Sequence, residues 1–252
     1  MDVAIILGTA GSGKSTLVGA FSTYLEEKDE SYAILNLDPG VKEETLPYEP
    51  DINVRDYIRV EEIMEELNLG PNGALIASMD LIIQYIEDLK DEIIRLSPDV
   101  LLIDTPGQME VFTYRKTGPL LLKTIFEGIP DVRQAIIFLF DPFLCEPPTS
   151  LLSLILLSES VYWRFRLPIV HALTKIDAFP EEKIEEILKL AKNPSLIFSY
   201  EQPVERVESL LTPVILEREE VLTRELIPIS SLTGEGIFDL YSNLLHAWSK
   251  SG

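Results

Sequence analysis

The stretch Gly8-Thr9-Ala10-Gly11-Ser12-Gly13-Lys14-Ser15 constrains this chain most, because it fits G-x-x-x-x-G-K-[ST] and directly follows the apolar run 3–7. It reads as strand, loop, helix. Three glycines let the backbone bend so that successive amide N–H groups point at phosphate oxygens, and the helix that follows adds the positive end of its dipole. Gly8, Gly11, Ser12, Gly13, Lys14, Ser15 and Thr16 are therefore the first candidate nucleotide-binding residues. Lys14 is placed to reach β- and γ-phosphates, and the Ser15 hydroxyl to bind Mg²⁺, an ion that takes oxygen ligands and keeps several waters.

A phosphate loop on a first strand predicts an α/β fold of the P-loop NTPase type, a mostly parallel sheet flanked by helices. The 252 residues, 46% of them hydrophobic, suffice for a single domain with a large core. No apolar run approaches the ~18 residues of a membrane-spanning helix. Residue 1 leads into the first strand without the basic, apolar and small-residue series of a signal peptide, so a cytoplasmic location is expected, with no membrane partner. One cysteine, Cys145, forms no intrachain disulfide, and with only two histidines zinc lacks its usual ligand set. A formal charge of −21 without a Lys/Arg cluster argues against direct nucleic-acid binding.

Along the chain, apolar runs at 32–37, 100–103, 132–140, 167–173 and 226–229 predict five further strands. The second ends at Asp38-Pro39-Gly40. Asp38 at a strand's C-terminal end serves either a water of the reaction or a tight turn, since Asp-Pro-Gly turns unaided. Residues 41–53, with Pro47 and Pro50, read as a loop. Val60, Ile63, Met64 and Leu67 recur at helical spacing opposite Glu61, Glu62, Glu65 and Glu66, and a long helical pattern returns at 74–96. Between them, Gly70-Pro71-Asn72-Gly73 reads locally as a helix stop and turn.

The strand 100–103 runs into Asp104-Thr105-Pro106-Gly107, a D-x-x-G motif. Asp104 is expected to hold Mg²⁺ through water and the Gly107 N–H to bond a γ-phosphate oxygen. Gln108 and Glu110 follow, and with Asp38 they are the candidates for orienting an attacking water. Arg115 and Lys116 offer cations beside this loop. His171 in a strand and His246 in the last helix read as packed rather than catalytic histidines.

Thr174-Lys175-Ile176-Asp177 is close to N-K-x-D. An aspartate there accepts from N1–H and the 2-amino group of guanine, donors that adenine lacks, so GTP and GDP are the expected nucleotides. Thr174 stands where that motif has Asn, which removes a bracing amide, though its hydroxyl and backbone are able to substitute. The Lys175 stem suits the plane of a base. Residues 178–225 read as a charged helical insertion, and Ser230-Ser231-Leu232 after the last strand as a loop contacting the base.

The ordered set GTAGSGKS, DTPGQ, TKID and SSL resembles the P-loop GTPases, and Leu69-Gly70-Pro71-Asn72-Gly73 narrows the likeness to the GPN-loop GTPases over essentially the whole chain. The resemblance implies Mg²⁺-dependent GTP hydrolysis in a homodimer. It further implies that the segment 54–97 carries a Gly-Pro-Asn loop whose Asn72 stabilises the departing phosphate in the partner subunit. Eukaryotic members act in assembly and nuclear import of RNA polymerase, which implies a protein client. Two rival readings remain: a phosphotransferase using the same loop, and a slow nucleotide-gated binding module.

Overall fold

The computed structural model describes residues 1–199 and 224–250. Its centre is a seven-stranded sheet in the order β3-β2-β4-β1-β5-β6-β7, every pairing parallel. The strands are β1 Asp2–Gly8, β2 Tyr32–Asn36, β3 Ile52–Asn53, β4 Val100–Asp104, β5 Arg133–Phe140, β6 Ile169–Leu173 and β7 Leu226–Pro228. Parallel strands need crossovers, and the helices between them cover both faces, which is why β1 is buried at all seven positions.

Alternation along each strand sorts the core into two layers. Val3, Ile5, Leu7, Leu35 and Ile103 face one side with α4 (Ile86–Leu96), α6 (Thr117–Ile125) and α7 (Pro148–Phe165). Ala4, Ile6 and Leu102 face the other, against α1 (Lys14–Glu27) and the C-terminal helix, α9 (Ile237–Ser249). There Trp248, fully buried, donates its indole N–H to the Val3 carbonyl at 2.9 Å and so fixes α9 under the first strand.

Three local expectations are corrected. Residues 41–53 are not wholly loop: Ile52–Asn53 adds a short edge strand beside β2, and a 3₁₀ turn spans Glu43–Thr45. The helix α2 (Val60–Leu67) is closed by Asn68 in the left-handed region (φ 51°), not by Gly70. Gly-Pro-Asn is accordingly no turn. Gly70 is the N-cap of α3 (Pro71–Leu81), with Pro71 opening the helix, where its missing N–H costs nothing. The pattern 74–96 is two helices, α3 and α4, joined by a 3₁₀ segment Ile82–Tyr85, where the Tyr85 ring packs on Tyr57 at 5.3 Å. Of the segment 178–225, α8 (Glu181–Lys192) and a 3₁₀ stretch Pro194–Ser199 are helical, while 200–223 lie outside the described residues.

His171 sits in β6 with its ring edge-on to Phe140, and burial pushes its pKa from the usual 6.5 down to about 4. Its Nε2 has no hydrogen-bond partner among the described residues, so it is a packed histidine without the bond that usually accompanies burial. The folded imidazole stays neutral down to about pH 4, whereas the unfolded one takes up a proton near 6.5. Its contribution is thus intact above pH 6.5 and lost on acidification between 6.5 and 4, by about 3 kcal/mol at most. Denaturant titrations of wild type and His171→Leu from pH 7 to pH 4 should show the wild type losing about that much more stability. Parallel pH profiles would exclude His171 as the source.

Candidate functional site

Most of the sequence-predicted residues gather at the C-terminal ends of β1, β2, β4, β6 and β7, the edge where open parallel sheets bind ligands. Gly13, the N-cap of α1, has φ 94°, a conformation that disfavours any side chain. Gly8 needs its hydrogen for another reason: a Cβ there would stand 2.6 Å from Ser12 Oγ and 2.9 Å from Leu139 Cβ.

Lys14 is the hub. Its buried ammonium donates to the carbonyls of Gly8 (2.9 Å), Thr9 (3.0 Å) and Gly107 (3.3 Å), so it bridges the phosphate loop to the D-x-x-G glycine. Burial lowers its pKa, against the opposing pull of Asp104, Asp38 and Glu110. Asp38, half-buried, accepts the Gly40 N–H at 2.8 Å and the Gly107 N–H at 3.0 Å. The turn and the functional readings of Asp38 thus coexist in one carboxylate: one oxygen closes the turn and the other reaches the D-x-x-G loop.

Asp104 is almost wholly buried, and burial raises its pKa, with a smaller push in the same direction from the Asp38 charge. The Ser15 and Tyr48 hydroxyls and Lys14 pull the other way. Tyr48 donates to Asp104 Oδ2 at 2.6 Å, while Oδ1 has no hydrogen-bond partner among the described residues. An orphaned carboxylate oxygen beside the Ser15 hydroxyl suits a hard cation with oxygen ligands, so these residues fit Mg²⁺. Among the described residues no group of three or more His, Cys, Asp or Glu could hold a metal.

Beside this cluster lies a pocket of about 220 Å³ lined by Ser12, Gly13, Thr16, Thr174, Lys175, Asp177, Ala178, Ser231 and Leu232, which unites the phosphate loop with both base-loop motifs. Thr174 takes over the bracing expected of Asn: its hydroxyl lies 3.1 Å from the Ser12 carbonyl and 3.2 Å from that of Phe140. Lys175, in the left-handed region, donates to Gly11 O and to buried Asp141, both at 2.7 Å. Asp177 is exposed at the pocket wall, and Leu232 is 78% exposed. Ser230 is turned inward, its Oγ accepting the Thr233 N–H, and does not line the pocket.

The remaining candidates sit at the rim. Gln108 and Glu110 are exposed at the start of α5 (Met109–Thr113), and Gln108 Nε2 donates to Asn72 Oδ1 of its own chain at 3.2 Å. Arg115 is committed to Asp80 at 2.6 Å, and Thr117 bonds the same carboxylate. Those bonds and the Arg115 charge outweigh burial and lower the Asp80 pKa, so Arg115 binds α3 to the segment after D-x-x-G. Tyr48 and Asp141 were missed because nothing local marks them: each reaches its partner only through the tertiary fold.

A family model described as a conserved hypothetical ATP binding protein matches residues 6–249. A GPN-loop GTPase of Pyrococcus abyssi is 39% identical over 185 residues, covering 73% of this chain and 71% of that protein. GPN-loop GTPase 1 of Dictyostelium discoideum is 31% identical over 246 residues, covering 95% of this chain and 60% of its relative. The crystal structure of a Pyrococcus abyssi GTPase in apo form superposes with a TM-score of 0.83 at 32% identity, covering 98% of this chain and 97% of that one. No helix among the described residues is long and apolar enough to cross a membrane.

Proposed function

Because the chain belongs to the GPN-loop GTPase family and is on that ground a GTPase, we propose that it hydrolyses GTP to GDP and phosphate as a Mg²⁺-dependent homodimer whose two nucleotide states switch a protein-assembly partner. The observation that carries this is the bond from the Gly107 N–H to Asp38 Oδ2. That N–H is the donor that a D-x-x-G loop offers to a γ-phosphate. When a triphosphate takes it, Asp38 is released toward the attacking water, and Lys14 exchanges loop carbonyls for phosphate oxygens. Mg²⁺, when bound, neutralises charge between the β- and γ-phosphates. Ser15 and Asp104 would hold that ion, and Gln108 and Glu110 would flank the route of the water.

Base choice rests on Asp177 and on the loop residues Ser231 and Leu232, with Lys175 held over the pocket by Gly11 and Asp141. The Gly-Pro-Asn segment of one subunit, at the start of α3, is proposed to act on the phosphate site of the other. Thin-layer separation of γ-labelled GTP with Mg²⁺ should yield free phosphate alone, whereas label on a nucleoside or polynucleotide hydroxyl would convert the reading to a phosphotransferase. In single-turnover form the same assay should find Gln108→Ala slower by about tenfold or more with GTP affinity unchanged, as for a group acting in the transition state. A wild-type rate would leave the water to Asp38 or Glu110.

A further inference from the structure

Residues 47–51 form a strap across α1. Gly19 permits the crossing, since a Cβ there would stand 3.0 Å from the Pro47 carbonyl oxygen. The strap is pinned on its far side by Asp51, whose Oδ2 accepts the Ile34 N–H at 2.8 Å, and just beyond it by Asn53, which donates to Glu43 at 3.1 Å. Ahead of these anchors Tyr48 packs against the core layer on the α1 side and places its hydroxyl 2.6 Å from Asp104 Oδ2. The other oxygen of that carboxylate, buried, has no hydrogen-bond partner among the described residues.

From this geometry we infer that Tyr48 is a positioning residue for the cation site: by donating to Oδ2 it fixes the plane of the Asp104 carboxylate and leaves Oδ1 directed to the ion. The inference rests on the Mg²⁺-dependent GTPase reading. Carboxylates that hold a metal or its waters are commonly oriented by an outer hydrogen bond, and loss of such a partner typically costs 10–100-fold in metal affinity. Without the phenol, nothing else in the strap restrains that carboxylate: Ser15 and Lys14, the other groups that act on it favourably, belong to the phosphate loop and its helix. The effect belongs to the cation and not to the nucleotide, because Tyr48 does not line the base pocket and makes no hydrogen bond to the phosphate loop.

Tyr48→Phe keeps the ring and the strap packing and removes only the hydroxyl. The test titrates Mg²⁺ against the affinity of the whole protein for a fluorescent N-methylanthraniloyl GDP, with a parallel measurement in EDTA. The half-saturating Mg²⁺ concentration should rise by about tenfold, with GDP affinity in EDTA unchanged within about twofold. An unchanged Mg²⁺ midpoint would overturn the inference and leave Tyr48 as packing. Equal weakening in EDTA would also overturn it, by placing the effect on the phosphate loop. If wild-type affinity itself ignored Mg²⁺ while GDP bound, the metal reading would fall and this inference with it. A shift confined to the variant's Mg²⁺ midpoint is the one supporting result.

Discussion

Asp177→Asn should bind GDP about 100-fold more weakly and xanthosine diphosphate more tightly, reversing the order of the two, because the variant loses one of two hydrogen bonds to a charged acceptor, a bond worth about 1.5–3 kcal/mol. The carboxylate accepts both guanine donors, whereas the amide keeps one acceptor and presents N–H to the 2-oxo group of xanthine. Competition binding with GDP, ADP and XDP checks it. The measurement also decides between the guanine assignment and the ATP binding named in the family description. A variant that retains its preference for GDP over both rivals would remove Asp177 from base recognition, and the pocket formed with Ser231 and Leu232 would need another ligand.

The parts of the fold that were legible are those in which several local signals coincide. β1, the phosphate loop and α1 declare themselves by an apolar run, three glycines and a helical stripe, and the last helix by Gly236 followed by a periodic apolar face ending in Trp248. What stayed hidden was short or tertiary. Ile52–Asn53 is too brief for any periodicity and is a strand only because β2 offers it a free edge. Asn68 ends α2 because Asn tolerates the left-handed region almost as Gly does, and the nearby Gly70 was the more conspicuous candidate. The apparent unity of 74–96 followed from an uninterrupted apolar pattern, which does not register that Tyr85 leaves helical geometry to meet Tyr57.

The candidate site divides in the same way. Its motifs were readable because backbone geometry and ligand chemistry tie residue types to fixed spacings, and Thr174 could be expected to replace Asn because a hydroxyl also braces neighbouring loops, here within reach of the Ser12 and Phe140 carbonyls. Second-layer partners carry no spacing at all. Tyr48 lies 56 positions from Asp104 and Asp141 lies 34 from Lys175, so the burial and ion pairing that make them matter appear only once the strands are ordered. The same holds for Arg115, whose charge was visible and whose commitment to Asp80 was not.

Asn72 poses the sharpest question, because its side chain already touches Gln108 of its own chain while the family likeness assigns it to the neighbouring subunit. The two are compatible in a two-fold dimer: Gly70, Pro71 and Asn72 are exposed beside the site's rim, and a self-complementary interface over that rim would set each loop against both copies. Mixed dimers separate the alternatives. Asn72→Ala should bind GTP normally and hydrolyse it about 100-fold more slowly, the typical loss of one donor to transition-state charge. Lys14→Ala should lose its own phosphate site and keep Asn72. If Asn72 acts across the interface, the intact phosphate loop of the first variant meets the intact asparagine of the second. Random pairing makes about half the dimers mixed, each with one restored site, so hydrolysis should return to about a quarter of the wild-type rate per subunit. If Asn72 acts only through Gln108 in its own chain, no mixed dimer contains a complete site and mixing gains nothing. Native mass spectrometry of the mixture, confirming that subunits have exchanged, makes the absence of a gain decisive against action in trans.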